Sequence, residues 1–183
     1  MDKSMKITKT KLNGVYIIEP EVFRDERGLL TKPFHKDTFT QHGMDFNFEE
    51  SFYSISKKGV ARGMHFQIPP KAHSKLVYVP SGAILDVILD LRKGSLTYGD
   101  YVSVELSDLN HKMIYIPTGC AHGFLSLKNN SCTTYLQSTM RSAEHEAGIR
   151  MDSFGMDWKV TKPIISTRDQ SFPTLKEFKT PFT

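Results

Sequence analysis

Three stretches of this chain carry ionisable side chains on runs that are otherwise apolar. The first is Arg62-Gly63-Met64-His65-Phe66-Gln67, followed by Lys75-Leu76-Val77. The second is Asp86-Val87-Ile88-Leu89-Asp90-Leu91-Arg92, and the third is Ile116-Pro117-Thr118-Gly119-Cys120-Ala121-His122-Gly123-Phe124. Burying such groups without partners is costly, so their number points to one shared cavity rather than to scattered structural roles. The residue types allow three chemistries: metal ligation, covalent nucleophilic catalysis and acid–base work. A metal site wants three or four ligands at suitable spacing. His65 and His73 are too far apart for an H-x-H pair, and no Glu follows to complete such a set. Neither Cys120 nor Cys132 has a base nearby in sequence. No metal is therefore expected, and acid–base chemistry is the best fit.

The elements that must carry these residues are short and alternating. Val15–Ile18, Leu76–Val79, Ala83–Leu91, Tyr101–Leu106, Met113–Ile116 and Thr133–Leu136 read as strands, punctuated by Gly and Pro turns. Such spacing predicts an all-β sandwich or barrel, and we expect a jelly-roll β-barrel enclosing a cavity. Helix is expected only in short pieces, at Lys36–His42 and Thr174–Phe178. Strict alternation would put Arg62, Met64 and Phe66 on one face of their strand and Gly63, His65 and Gln67 on the other, unless Gly63 breaks the pattern. No repeat or low-complexity linker divides the chain, so residues 1–183 are read as a single domain.

Composition sets the outer limits. At 183 residues the chain can bury a sizeable core, and 39% hydrophobic with 24% charged residues is an ordinary globular balance. A net charge of +4 suits an anionic ligand. No basic block or aromatic ladder suggests nucleic acid. The segment Met1-Asp2-Lys3-Ser4 lacks the apolar stretch of a secretory leader, and no run approaches the roughly 20 apolar residues of a membrane span. Two cysteines without C-x-x-C spacing are expected to be reduced thiols. The expectation is a cytoplasmic protein with no membrane association.

At the three polar segments, and in the later Ser166-Thr167-Arg168-Asp169, the chain resembles the dTDP-4-dehydrorhamnose 3,5-epimerase family. The ordered set RGMHFQ, K-L-V, D-V-I-L-D-L-R-K-G-S-L-T-Y-G, I-P-T-G-C-A-H-G-F and S-T-R-D carries the resemblance from about Val15 to Asp169. It implies a cupin-like jelly roll, a homodimer, and no metal or organic cofactor. It also implies a nucleoside-diphosphate 4-keto-6-deoxyhexose as small-molecule substrate. Epimerisation beside a ketone needs a base, a stabiliser for the enolate oxygen and an acid on the far face. By resemblance His65 is the base, Asp169 orients its imidazole, Lys75 faces the enolate oxygen and Tyr135 is the acid. Arg62 contacts the diphosphate, while His122 and Gln67 line the pocket. Asp86 either holds a neighbouring histidine or serves as a strand-end acceptor.

Three departures from the family pattern bear on specificity. The segment Phe23-Arg24-Asp25-Glu26-Arg27-Gly28 resembles the nucleotide-binding motif and keeps Arg27, but Lys32 stands at a glutamate position. Glu50-Ser51-Phe52 replaces a Q-D-N stretch. Lys32 as donor and Glu50 as acceptor would suit cytosine, so a CDP-linked sugar is weighed beside a dTDP-linked one. Met140 and Arg141 replace aromatics after Tyr135, which favours inversion at C3 alone over C3 and C5 together. Met151-Asp152-Ser153-Phe154 replaces a W-N-D-P stretch, with an effect expected on packing only. The alternatives are a 3,4-ketoisomerase on the same barrel and a non-catalytic sugar-nucleotide-binding cupin.

Overall fold

A computed structural model describes residues 5–45 and 47–183. The first four residues, read above for a leader, lie outside the described residues. Two antiparallel sheets face each other. The six-stranded sheet runs in the order β1 (Lys6–Lys9), β2 (Tyr16–Glu19), β10 (Met113–Ile116), β7 (Lys75–Ser81), β12 (Ser131–Gln137), β5 (Glu50–Ser56). The five-stranded sheet runs β13 (Glu146–Gly148), β6 (Ala61–Gln67), β11 (Cys120–Ser126), β8 (Ala83–Asp90), β9 (Tyr101–Ser107). A separate hairpin joins β3 (Val22–Asp25) to β4 (Gly28–Thr31). This is the cupin-like jelly roll expected from the sequence.

Alternate residues of the strands feed different cores. Val77, Val79, Ile84, Ile88, Ile114, Ile116 and Phe124 pack together between the sheets. Val87, Leu89, Ala121 and Leu125 face the other way, where Ile149, Trp158 and Phe182 from the C-terminal segment cover them. Leu76, Met113 and Tyr115 lie against Phe39 of helix α1 (Lys36–Gln41). Strands β8 and β11 are thus apolar on both faces because both faces are covered. Met151 belongs to the outer core and its carbonyl accepts the Trp158 indole N–H at 2.8 Å, so the replaced W-N-D-P stretch contributes to packing.

This parity fixes which polar side chains enter the cavity. Asp86 lies between Ile84 and Ile88, His122 between Cys120 and Phe124, and Lys75 two residues before Val77, so all three share the inward phase. Tyr135 belongs to the inter-sheet cluster itself.

Strand β6 departs from strict alternation. His65 pairs with His122 and Arg62 with Phe124, so three steps on β6 match two on β11. The extra residue is a β-bulge at Gly63-Met64. It turns Ala61, Met64 and Phe66 outward into the core behind the sheet and brings Arg62 and His65 to the same cavity. Arg62 therefore does not share a face with Met64 and Phe66, and the break at Gly63 decides the matter. Gly63 has φ +128°, a region that L side chains rarely adopt, and a Cβ there would collide with Gly123 Cα and sit 2.9 Å from the His122 carbonyl.

The helical pieces also differ in part from expectation. Helix α1 forms at Lys36–Gln41 as read. The C-terminal one is α2 (Thr167–Gln170), where the Ser166 side chain accepts the Asp169 N–H at 3.1 Å. Thr174–Phe178 forms only a turn, closed when the Phe178 N–H donates to the Thr174 carbonyl. Thr174 and Glu177 bond each other there, which satisfies the turn without a further helical residue.

Gly63→Ala combines a strained φ with a backbone collision. It should lower stability by more than about 2 kcal/mol. A thermal melt that matches the parent would refute the bulge as described.

Candidate functional site

A cavity of about 250 Å³ opens between the two sheets, with side chains from both in its wall. His65 on β6 and His122 on β11 come from the five-stranded sheet. Lys75 on β7, Tyr135 on β12, and Phe52 and Ser54 on β5 come from the six-stranded sheet. The cavity therefore has an imidazole wall and a phenol wall.

On the first wall, His65 Nε2 lies 2.8 Å from Asp169 Oδ1. The other Asp169 oxygen accepts the Gly63 N–H at 3.1 Å, a donor that the bulge turns towards it. Burial works to raise the Asp169 carboxyl. The hydrogen bond and charge of His65, with the Gly63 and Ser166 donors, outweigh burial and hold it below the usual carboxylate range. An ionised Asp169 can only accept, so Nε2 carries the proton and Nδ1 is the basic nitrogen of His65. Phe172 meets the ring edge-on at 5.8 Å between centroids.

Behind His65 stands a second histidine–carboxylate pair. His122 Nε2 is 2.6 Å from Asp86 Oδ1, and both residues are buried. Burial pushes the Asp86 carboxyl up against the opposing pull of His122 and Lys75. Its Oδ2 has no hydrogen-bond partner among the described residues. Of the two readings open for Asp86, the structure gives the histidine-holding one.

On the second wall, Tyr135 is buried, stacked on Phe52 at 4.6 Å and 16°, with its hydroxyl 3.4 Å from Ser54 Oγ. Burial raises its pKa and keeps the phenol protonated. Lys75 Nζ lies 3.4 Å from the His65 carbonyl. Burial lowers its pKa to about 8, although the charges of Asp86 and Glu146 work the other way. Arg62 is anchored by Nε on Ser56 Oγ at 3.1 Å, which leaves its terminal nitrogens for an anionic ligand.

Other expected site residues have different duties. Gln67 lines the cavity, but its amide is committed to two loops, the one between β6 and β7 and the one after β12. Its oxygen accepts the Ser142 N–H at 2.6 Å, and its nitrogen donates to the Lys71 carbonyl at 2.7 Å. Glu50 also holds the loop after β12. One oxygen accepts the Arg141 N–H at 2.6 Å and Gln137 Nε2 at 2.9 Å. Arg27 sits on the β3–β4 hairpin paired with Asp25, and Lys32 follows the hairpin exposed to solvent. Neither lines this cavity.

Sequence reasoning missed Glu146, Arg168 and His73 as residues of the wall, and it singled out Arg141 and Phe52 only as departures from the family pattern. Arg141 and Arg168 both bond the Glu146 carboxylate, at 2.9 Å and 3.1 Å, and all three line the cavity. Met140, by contrast, points to solvent at 62% exposure. Phe52 forms the shelf behind Tyr135. His73 is buried in the wall beside Gln67; its spacing of two from Lys75 was the available signal. No group of three His, Cys, Asp or Glu side chains among the described residues is arranged to hold a metal ion.

Comparison with known proteins points to one family. A family model described as dTDP-4-dehydrorhamnose 3,5-epimerase matches residues 9–177. An enzyme of that name from Methanothermobacter thermautotrophicus is 41% identical over 177 residues, covering 94% of this chain and 95% of the relative. The crystal structure of the Sulfolobus tokodaii enzyme of that name superposes with a TM-score of 0.91 at 38% identity, covering 98% of this chain and 99% of the other. A dTDP-6-deoxy-D-glucose-3,5-epimerase from Legionella pneumophila, solved with dTDP-4-keto-L-rhamnose, reaches 0.91 at 33% identity, with 96% and 95% coverage.

The unfolded chain keeps the Lys75 proton up to the ordinary lysine range, whereas the folded chain releases it near pH 8. Stability contributed by this group therefore rises between those two values. NMR of a 13C-methylated lysine at this position should show a midpoint near 8. A midpoint at 10.5 would contradict the buried placement.

Proposed function

The chain belongs to the dTDP-4-dehydrorhamnose 3,5-epimerase family, and from that premise we propose that it is an isomerase acting on a dTDP-linked 4-keto-6-deoxyhexose, inverting C3 and C5 through enolates. The observation that carries this reading is the placement of His65 and Tyr135 on opposing sheets across one cavity. Inversion requires a proton to leave one face of the sugar and another to arrive on the opposite face.

In the proposed cycle His65 Nδ1 takes the proton from the carbon beside the ketone. The C–H electron pair moves into the ring and the C4 oxygen becomes anionic. Lys75, positively charged below about pH 8, stabilises that oxygen. The Tyr135 hydroxyl returns a proton from the other side. This leaves an imidazolium and a phenolate, which exchange with solvent before the next turnover. Asp169 holds the His65 tautomer, and His122, held by Asp86, borders the same wall. Arg62 is assigned the diphosphate. A non-catalytic binder would have no use for this completed base, cation and acid, and a ketoisomerase would need a different pair of histidines.

The cytosine reading rested on Glu50 as an acceptor; one of its oxygens anchors Arg141 and Gln137, and the relatives are named for dTDP-linked sugars. That favours dTDP. Inversion at C3 alone rested on Met140 and Arg141. Met140 faces solvent and Arg141 in the cavity wall is engaged with Glu146; both carbons are assigned on the strength of the 3,5-epimerases among the relatives.

We also assign one domain to residues 1–183, a homodimer and a cytoplasmic location. Phe23, Leu29 and Leu30 of the hairpin and Tyr53 and Ile55 of edge strand β5 are large exposed apolar groups that a second copy would cover. In such a dimer the hairpin would carry Arg27 and Lys32 to the partner's nucleotide. Among the described residues no helix is long and apolar enough to cross a membrane, and both cysteines are free thiols.

In heavy water, proton NMR should show loss of both the C3 and C5 hydrogens from dTDP-4-keto-6-deoxyglucose, with the CDP analogue far slower. Loss at C3 alone would restore the single-inversion reading, and preference for CDP would return Glu50 and Lys32 to the nucleotide. Asp169→Asn should slow exchange by about 100-fold or more while the protein stays folded. The rate should fall as pH rises through about 8, and Lys75→Met should remove that limb along with most of the activity.

A further inference from the structure

His73 lies in the cavity wall and is more than nine-tenths buried. Its protonation is fixed by a chain of contacts. The Ser142 N–H donates to Gln67 Oε1, which settles the orientation of the Gln67 amide. Gln67 Nε2 is nearest the Lys71 carbonyl, 2.7 Å away, and His73 Nδ1, 3.1 Å away, with Thr139 Oγ1 and the Met140 carbonyl farther off at 3.3 and 3.4 Å; the Thr139 hydroxyl lies 3.4 Å from Nδ1 and can donate to it as well. With both neighbours donating, Nδ1 accepts and the ring hydrogen is on Nε2. Burial and the neighbouring Lys75 charge lower the His73 pKa to about 3, so the ring is neutral throughout the working range.

That Nε2–H is buried and has no hydrogen-bond partner among the described residues. A buried donor left unpaired is costly, and the Gln67 amide hydrogen aimed at Nδ1 favours the tautomer that carries it. The wall thus offers a neutral N–H beside the buried ammonium of Lys75. A neutral donor next to a cation suits an oxygen on which negative charge develops, because both interactions strengthen as the charge grows.

We propose that His73 is a catalytic residue whose Nε2–H donates to the C4 oxygen of the bound sugar, sharing with Lys75 the charge of the enolate. The proton stays on His73 throughout; the transferred protons belong to His65 and Tyr135. This inference rests on the epimerase reading above.

The test uses solvent-deuterium exchange into dTDP-4-keto-6-deoxyglucose at saturating substrate. His73→Phe, which fills the wall without a donor, should lower kcat on the order of 100-fold with KM little changed. His73→Gln, which restores an N–H, should recover most of the rate. A second measurement needs no variant: with 15N-histidine labelling of the parent protein, the His73 Nε2–H resonance should move on adding the 4-keto sugar nucleotide and stay in place on adding dTDP. A folded His73→Phe variant with parental kcat, or a raised KM with unchanged kcat, would overturn the inference, as would an Nε2–H resonance indifferent to the sugar. If the parent itself gives no exchange, the epimerase reading falls and this one with it. If the parent exchanges and His73→Phe does so equally, only the role of His73 falls.

Discussion

The site depends on a single close approach, that of Gly63 on β6 to Gly123 on β11. A Cβ at Gly63 would meet Gly123, and a Cβ at Gly123 would lie 2.9 Å from the Arg62 carbonyl. The approach accommodates the bulge that shifts the register between these strands. Its consequences reach in two directions. Arg62 and His65, three residues apart, both enter the cavity, which strict alternation forbids. The Gly63 N–H, freed from the ladder, donates to the carboxylate that orients His65.

The second organising constraint is the division of labour between the sheets. Strands β6, β8 and β11 supply His65, Asp86 and His122; strands β7 and β12 supply Lys75 and Tyr135. The base and the acid thus belong to separately hydrogen-bonded layers, and the inter-sheet cluster around Val77, Ile88 and Phe124 sets their separation. The spacing is rigid because closely packed interiors resist small displacements. The C-terminal segment matters for the same reason. It covers the outer face of the five-stranded sheet and delivers Asp169 through a four-residue helix that Ser166 caps.

Electrostatics then tune what geometry has assembled. Burial pulls Lys75 down towards neutrality and pushes Tyr135 and Asp86 up, while hydrogen bonds keep Asp169 ionised despite its burial. The cavity therefore holds one committed anion at the base, one protonated phenol opposite and an ammonium that is easily discharged. Glu50 and Gln67 act at one remove. They fix the loop after β12 by taking the backbone N–H groups of Arg141 and Ser142, and Gln67 also sets the tautomer of His73.

By itself the sequence determined the jelly roll and most of the wall. Period-two patterning with Gly and Pro turns is local, and polar residues such as Lys75, Asp86 and His122 declare themselves against apolar neighbours. The motif order also tied Asp169 to His65 across more than a hundred residues, through resemblance rather than pattern. Tertiary structure alone decided three things. The bulge that puts Arg62 beside His65 comes from two glycines on different strands. The use of Glu50 and Gln67 as loop anchors depends on the path of residues 138–142, which no local period encodes. The burial of His73 in the wall involves Thr139 of the loop after β12, whose hydroxyl lies 3.4 Å from its Nδ1. Each is a contact between segments distant in sequence, and such contacts are set by how the layers close rather than by the residues on either side.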